Sequence, residues 1–171
     1  MIILMLLTYI IVCANWYLFF ANKFKKDKSF IFKMPKDRYT YYMLSFTWGL
    51  PMNLIGAVVA LVLICRGHTP KKYGWNCYFE LDVNFGLDLG IFFIAPKNAS
   101  THLKNHELGH SIQNVHLGVL TIGVVSIPSA LRYWIREFLQ HKGKELPDYD
   151  AIWFEGSATT SGEAFMSNFE E

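Results

Sequence analysis

The sequence predicts an α+β chain with two transmembrane helices at its N-terminus and a small mixed domain behind them. Three observations predict it. Long apolar runs occupy residues 2–21 and 43–65, short aromatic and β-branched runs broken by turn formers follow Tyr73, and a helix-forming segment near residue 106 carries two histidines at helical spacing. Composition agrees, because 52% of the 171 residues are hydrophobic and 18% are charged, which suits one domain plus membrane segments. The net charge of +2 singles out no partner. Basic residues flank the apolar runs and form no stripe with stacking aromatics, so a nucleic-acid-binding face is excluded. Of the cysteines, Cys13 and Cys65 fall inside apolar runs, and Cys77 forms no CxxC pair, so neither a disulfide framework nor a thiolate metal site is implied.

Taking the chain in order, Ile2 to Ala21 has Asn15 as its one strongly polar member and is about long enough to cross a ~30 Å hydrocarbon layer. A signal peptide would start with a basic region and end at a small-residue cleavage site. Lysines follow this run instead, which predicts a retained helix. The second run, Met43 to Cys65, contains Gly49, Pro51 and Asn53; membrane helices tolerate the first two, and Asn53 reads as an interhelical hydrogen-bonding residue. The loop between the runs carries Lys23, Lys25, Lys26, Lys28, Lys33, Lys36 and Arg38, against Arg66, Lys71 and Lys72 after the second run. The positive-inside rule then puts the loop in the cytoplasm. The expectation is a multi-pass protein of the cell membrane, embedded in the lipid bilayer through residues 1–66, with residues 67–171 as an extracytoplasmic domain.

In that domain, Trp75 to Leu81 and Leu87 to Ile94 flank Asp82-Val83-Asn84-Phe85-Gly86 and read as a β-hairpin. Its second strand leads through Pro96 into the next helix, and its edge near Ile91 is where an extended peptide could add as a further strand. Ser100 and Thr101 cap a helix that nothing interrupts as far as Gln113. Gly109 inside that helix costs roughly 1 kcal/mol against alanine, which points to close approach of another backbone. Leu117 to Trp134 is again apolar, and Pro128 between Ser126 and Ser129 predicts a broken helix that is buried, re-entrant or lying along the interface. Arg132, Tyr133 and Trp134 suit the headgroup level, and Arg136, His141, Lys142 and Lys144 continue as a basic amphipathic helix.

The chemistry concentrates in His106-Glu107-Leu108-Gly109-His110. Residues four apart share a helix face, so both imidazoles can aim at one zinc ion, and Glu107 beside it can accept a proton from a water at an open position. Two residues compete to be the third ligand. His116 has the metzincin spacing, but Gln113 stands where that pattern needs a glycine to turn the chain, and on a continuing helix His116 would point away. Glu155 sits in Ile152-Trp153-Phe154-Glu155-Gly156-Ser157-Ala158-Thr159, where a later helix of small residues can approach closely and Thr159, one turn on, can orient a ligand histidine. Tyr149, Tyr133 and Arg132 are candidate donors to a developing oxyanion. Asp148 and Asp150 are either orienting groups or solvated acids.

The blocks 105–114, 127–134 and 149–156 resemble those of small bacterial membrane proteins regarded as gluzincin-type zinc metallopeptidases. The likeness runs over about residues 74 to 165. It implies a zincin-like domain, His106, His110 and Glu155 as ligands of one Zn2+ ion, Glu107 as general base, and a membrane-bound peptidase acting on a peptide or membrane-protein substrate. It also favours Glu155 over His116. The reading from another class is a non-catalytic membrane zinc-binding module that holds a peptide or protein partner.

Overall fold

The computed structural model describes residues 1–169, an α+β chain with one long N-terminal apolar helix and a small four-stranded sheet. Helix α1 spans Ile2–Lys26 and is long and apolar enough to cross a membrane. It runs past the expected end at residue 21 through Lys23, Lys25 and Lys26, whose positive charges suit a helix C-terminus.

The second apolar run is not one straight helix. It divides into α2 (Arg38–Phe46) and α3 (Leu50–Cys65), bent by 92°. Asn53 explains how the break is tolerated: its Nδ2 donates to the Ser45 carbonyl at 2.8 Å across the interruption and to the Gly49 carbonyl at 3.0 Å, which also accepts the Asn53 backbone N–H. Its Oδ1 accepts from the Ile91 backbone N–H at 2.6 Å. Asn53 therefore joins a helix to the sheet as well as to another helix. Pro51 falls in the first turn of α3, where its missing N–H removes no helical bond.

The expected hairpin is also redistributed. Strands β1 (Lys71–Tyr73), β2 (Asn76–Leu81), β3 (Leu87–Leu89) and β4 (Phe92–Pro96) form a sheet in the order β1-β2-β4-β3. The pairs β1–β2 and β3–β4 are antiparallel, and β2 runs parallel to β4, with Cys77 opposite Phe92 and Leu81 opposite Pro96. The segment read as one strand from Leu87 to Ile94 splits because Gly90, at φ +80°, closes a tight turn there. Residues 82–86 are instead the connection that carries β3 to the outside of the sheet. Ile91 lies in the turn, bonded to Asn53 and accepting from the Cys77 N–H at 3.0 Å, so the open edge is Leu87–Leu89 and not Ile91.

Helix α4 spans Thr101–Leu117, with the Ser100 hydroxyl accepting from the Leu103 N–H as its cap. The chain then bends by 115° into α5 (Ile127–His141). The break lies at Gly118, φ +56°, followed by a short 3₁₀ turn and a π-helical turn through Ser126. Pro128, the expected breaker, sits in the first turn of α5. Helix α6 (Trp153–Phe169) closes the structure.

Two main cores hold these elements together, and each unites residues from both sides of position 66. Cys13, Phe20, Phe24 and Phe32 pack with Ile112, Leu117, Val124, Trp153 and Phe154, while Met52, Ala60 and Leu63 pack with Phe79, Leu89 and Ile94.

Candidate metal centre

Helix α4 is polar in sequence, yet every residue from Asn105 to Val115 is buried. Such a helix is stable inside a protein only if its polar groups are paired, and here the partners come mainly from α6. The two helices lie antiparallel and very close. A Cβ on Gly109 would overlap the Ala158 carbonyl, and one on Gly162 would overlap the Asn105 carbonyl, so each helix offers a glycine notch to the other's backbone. This close approach is the steric need anticipated for Gly109.

Across that seam, His106 Nε2 and His110 Nε2 are 3.1 Å apart, and Glu155 Oε2 is 3.1 Å from the first and 3.2 Å from the second. All three residues are buried. Donors at ~2.0–2.1 Å from a tetrahedral ion are separated by about 3.3 Å, so these three atoms have nearly the spacing of one face of such a site. The cluster can hold a metal ion.

The outer contacts of the ligands fit that role. Thr159 Oγ1 donates to Asp150 Oδ2 at 3.0 Å and so must accept from His106 Nδ1 at 2.8 Å. Gln113 Nε2 donates to the Phe154 carbonyl at 2.7 Å and to Ser157 Oγ at 2.9 Å, which turns its Oε1 to accept from His110 Nδ1 at 2.8 Å. With Nδ1 protonated on both rings, both Nε2 lone pairs point at the shared centre. Ser129 Oγ, on α5, donates to Glu155 Oε1 at 2.7 Å and leaves Oε2 for the histidines. Burial disfavours a charge on Glu155, but where a proton takes the metal's place on the histidine Nε2 atoms, hydrogen bonds and positive charge from His106 and His110 reverse the effect and hold its carboxyl well below the usual range.

The other candidates are placed as follows. His116 donates from Nε2 to the Lys33 carbonyl at 2.7 Å, on a part of α4 facing away from the cluster. Tyr149 lines the cleft, its ring centroid 6.0 Å from that of His106, and burial pushes its phenol well above the usual value so that it remains a donor. Arg132 donates to the carbonyls of Asp148 at 3.2 Å and Tyr149 at 2.9 Å, so it holds that segment in place and does not line the cleft. Tyr133 is in the cleft wall, and Asp150 is one of the orienting acids.

The cleft encloses about 570 Å³. Its floor is His106, Glu107 and His110, one wall is β3 with the preceding Asn84, Phe85 and Gly86, and the other is α5 through Ser129, Tyr133 and Trp134. The Glu107 carboxyl packs against Gly86, where a Cβ would overlap it, and faces the backbone amide of Asp88. Burial pushes Glu107 up to about 8 and Asp88 up to about 7. Asp88 ends a hydrogen-bonded chain from Tyr41 through Asn76 and Ser111, with the last hydroxyl donating at 2.6 Å.

Sequence reasoning missed Gln113, Ser129 and the Asn76–Ser111–Asp88 chain. Gln113 entered only as the residue that spoils the His116 spacing, although its place three residues after His110 on a helix that must be enclosed was a usable signal. Comparison of the chain with protein-family models, curated proteins and solved structures finds no match.

Proposed function

We propose that the protein is a membrane-anchored zinc metallopeptidase with a zincin-like catalytic domain. The observation that carries this reading is the buried triangle of His106, His110 and Glu155 opening on a cleft that also holds the Glu107 carboxyl and is walled by the free edge of a sheet. A donor set of two imidazoles and one carboxylate, with room for a fourth group, suits catalytic zinc. When bound, the ion would polarise the scissile carbonyl and make water acidic enough to be deprotonated at neutral pH.

The protein's own residues supply the remaining steps. Glu107 takes a proton from the attacking water and delivers it to the leaving amine, a role that suits a carboxyl raised toward neutrality by burial. The Tyr149 hydroxyl is the donor for the oxyanion that develops on the carbonyl. Strand β3 holds the peptide in extended form along its outer edge at Leu87–Leu89, which no further strand covers and where the Asp88 amide meets Glu107. The apolar wall around Phe85, Val125 and Tyr133 favours hydrophobic side chains, and α1 brings the site to substrates presented at the bilayer.

The test is cleavage of a quenched-fluorescence peptide library by zinc-loaded protein in nanodiscs, beside Glu107→Gln. Turnover lost in Glu107→Gln with one zinc retained per chain is expected. A variant that cleaves as well as the parent would remove Glu107 as the base, and a parent that loads zinc and cleaves nothing would turn the reading toward a non-catalytic zinc module.

A further inference from the structure

The register of α1 against the rest of the chain gives a depth for each element it touches. Its apolar run from Ile2 to Ala21 is about 30 Å long at 1.5 Å per residue. Contact with the body of the protein starts near the middle of that run. Tyr9 donates from its hydroxyl to the Val119 carbonyl at 2.9 Å, and one turn on, Cys13 lies against Gly123. The rings of Tyr17 and Phe20 then meet Trp153 at 5.7 and 5.2 Å, and Phe24 packs beside Gly156. The α4–α5 turn is therefore level with the centre of the apolar run. The start of α6, two residues before Glu155, is level with its last turn, just inside Lys23, Lys25 and Lys26.

Helix α5 leaves that turn with no buried residue. One face of it, with Ser129, Tyr133 and Trp134, lines the cleft, while Ile127, Leu131, Ile135 and Phe138 form a row on the other face, each between 52% and 59% exposed. Lys142 and Lys144 follow at its end. The second bent pair meets the turn at the same level, where Trp48 packs on Gly118. From there α3 returns along the sheet, with Gly56 on Leu89 and Leu63 in the cluster of Phe79 and Ile94.

We propose that the α4–α5 turn is re-entrant: it enters the leaflet from which the basic end of α1 emerges, reaches the middle of the bilayer and returns to the same side, with the outer row of α5 covered by phospholipid acyl chains. The occupant follows from the depth reading, since that row begins level with the apolar centre of α1 and ends in lysines suited to headgroups. Two consequences follow. The metal centre lies at the headgroup level of the leaflet carrying Lys23 to Lys28, which the positive-inside rule makes cytoplasmic, opposite to the side expected if residues 43–65 cross straight through. Helix α5 is also the one wall between the cleft and lipid, so an apolar segment can enter sideways from the bilayer. The inference rests on α1 crossing the membrane and not on any hydrolytic step.

Single substitutions Lys26→Cys, Leu131→Cys and Lys144→Cys, made at exposed positions, test it in sealed vesicles of phosphatidylcholine and phosphatidylglycerol, with the unsubstituted chain as background for its own Cys65. A membrane-impermeant maleimide should label positions 26 and 144 from the same side and leave 131 unlabelled. A permeant fluorophore at 131 should lose several-fold more intensity to quenchers at mid-chain of the lipids than the same fluorophore at 144. Labelling of 26 and 144 from opposite sides would make the bent pair a broken span and overturn the proposal. Aqueous labelling at 131 would overturn it as well.

Discussion

Gln113→Leu isolates how the ligand histidines are held, because the side chain is fully buried and touches no metal-facing atom. Three contacts vanish together: acceptance from His110 Nδ1, and donation to the Phe154 carbonyl and to Ser157 Oγ. Each buried group left unpaired costs ~1–3 kcal/mol, and the apolar volume of leucine returns part of that, so a net loss of about 3 kcal/mol is expected in metal-free protein. The metal reads the change separately. A histidine freed from its orienting acceptor typically loses ~10–100-fold in zinc affinity, which removes about 1.4–2.7 kcal/mol of the stabilisation that zinc confers at a given concentration. Competition titration with a chromophoric chelator gives the affinity, and thermal unfolding with and without zinc gives the stability. If Gln113→Leu binds zinc as tightly as the parent, the imidazole orientation is not set by Gln113 and the account of the site is wrong at that point.

Gly109→Ala should destabilise the protein by ~1–3 kcal/mol and weaken zinc binding, because its methyl overlaps the Ala158 carbonyl and forces the helices apart; an unchanged melting temperature and affinity would mean the seam is loose. Thr159→Val should reduce zinc affinity ~10–100-fold while Thr159→Ser restores it, since only the hydroxyl links His106 to Asp150; equal affinities in the two variants would remove that link from the argument. For pH, Asp88 is raised to about 7 from an ordinary 3.8, so the folded state holds its proton more tightly than the unfolded state does. Beside the decline of the same sign from Glu107, raised to about 8, the Asp88 contribution in chelator-treated protein should be whole below about pH 4, fall by at most about 4 kcal/mol as pH rises toward 7 and then level off, with less lost to the extent that Asp88 opens onto the cleft. Asp88→Asn should flatten that decline, and a parent whose stability rises over the same range would contradict the sign.

Much of the site was legible because helical geometry is local. The spacing of His106 and His110, the glycine between them, and the run of small residues after Glu155 each carry their reason in a few neighbouring letters. The fold was less legible where long-range contacts decide. The bend at residues 47–49 depends on a buried asparagine whose partners lie on three segments, Ser45, Gly49 and Ile91, and apolar composition looks the same for a straight span and a broken one. The parallel pairing of β2 with β4 turns on Gly90 taking up a positive φ, which a glycine permits but does not announce. Likewise, Pro128 marked a break that Gly118 makes ten residues earlier, because proline is harmless in the first turn of the helix it begins.

Metal content per chain, measured on purified parent protein beside Glu155→Ala and His116→Ala, bears most directly on the three-donor cluster. One zinc in the parent and in His116→Ala, with a large loss in Glu155→Ala, is the predicted result. Zinc retained in Glu155→Ala and lost in His116→Ala would contradict it.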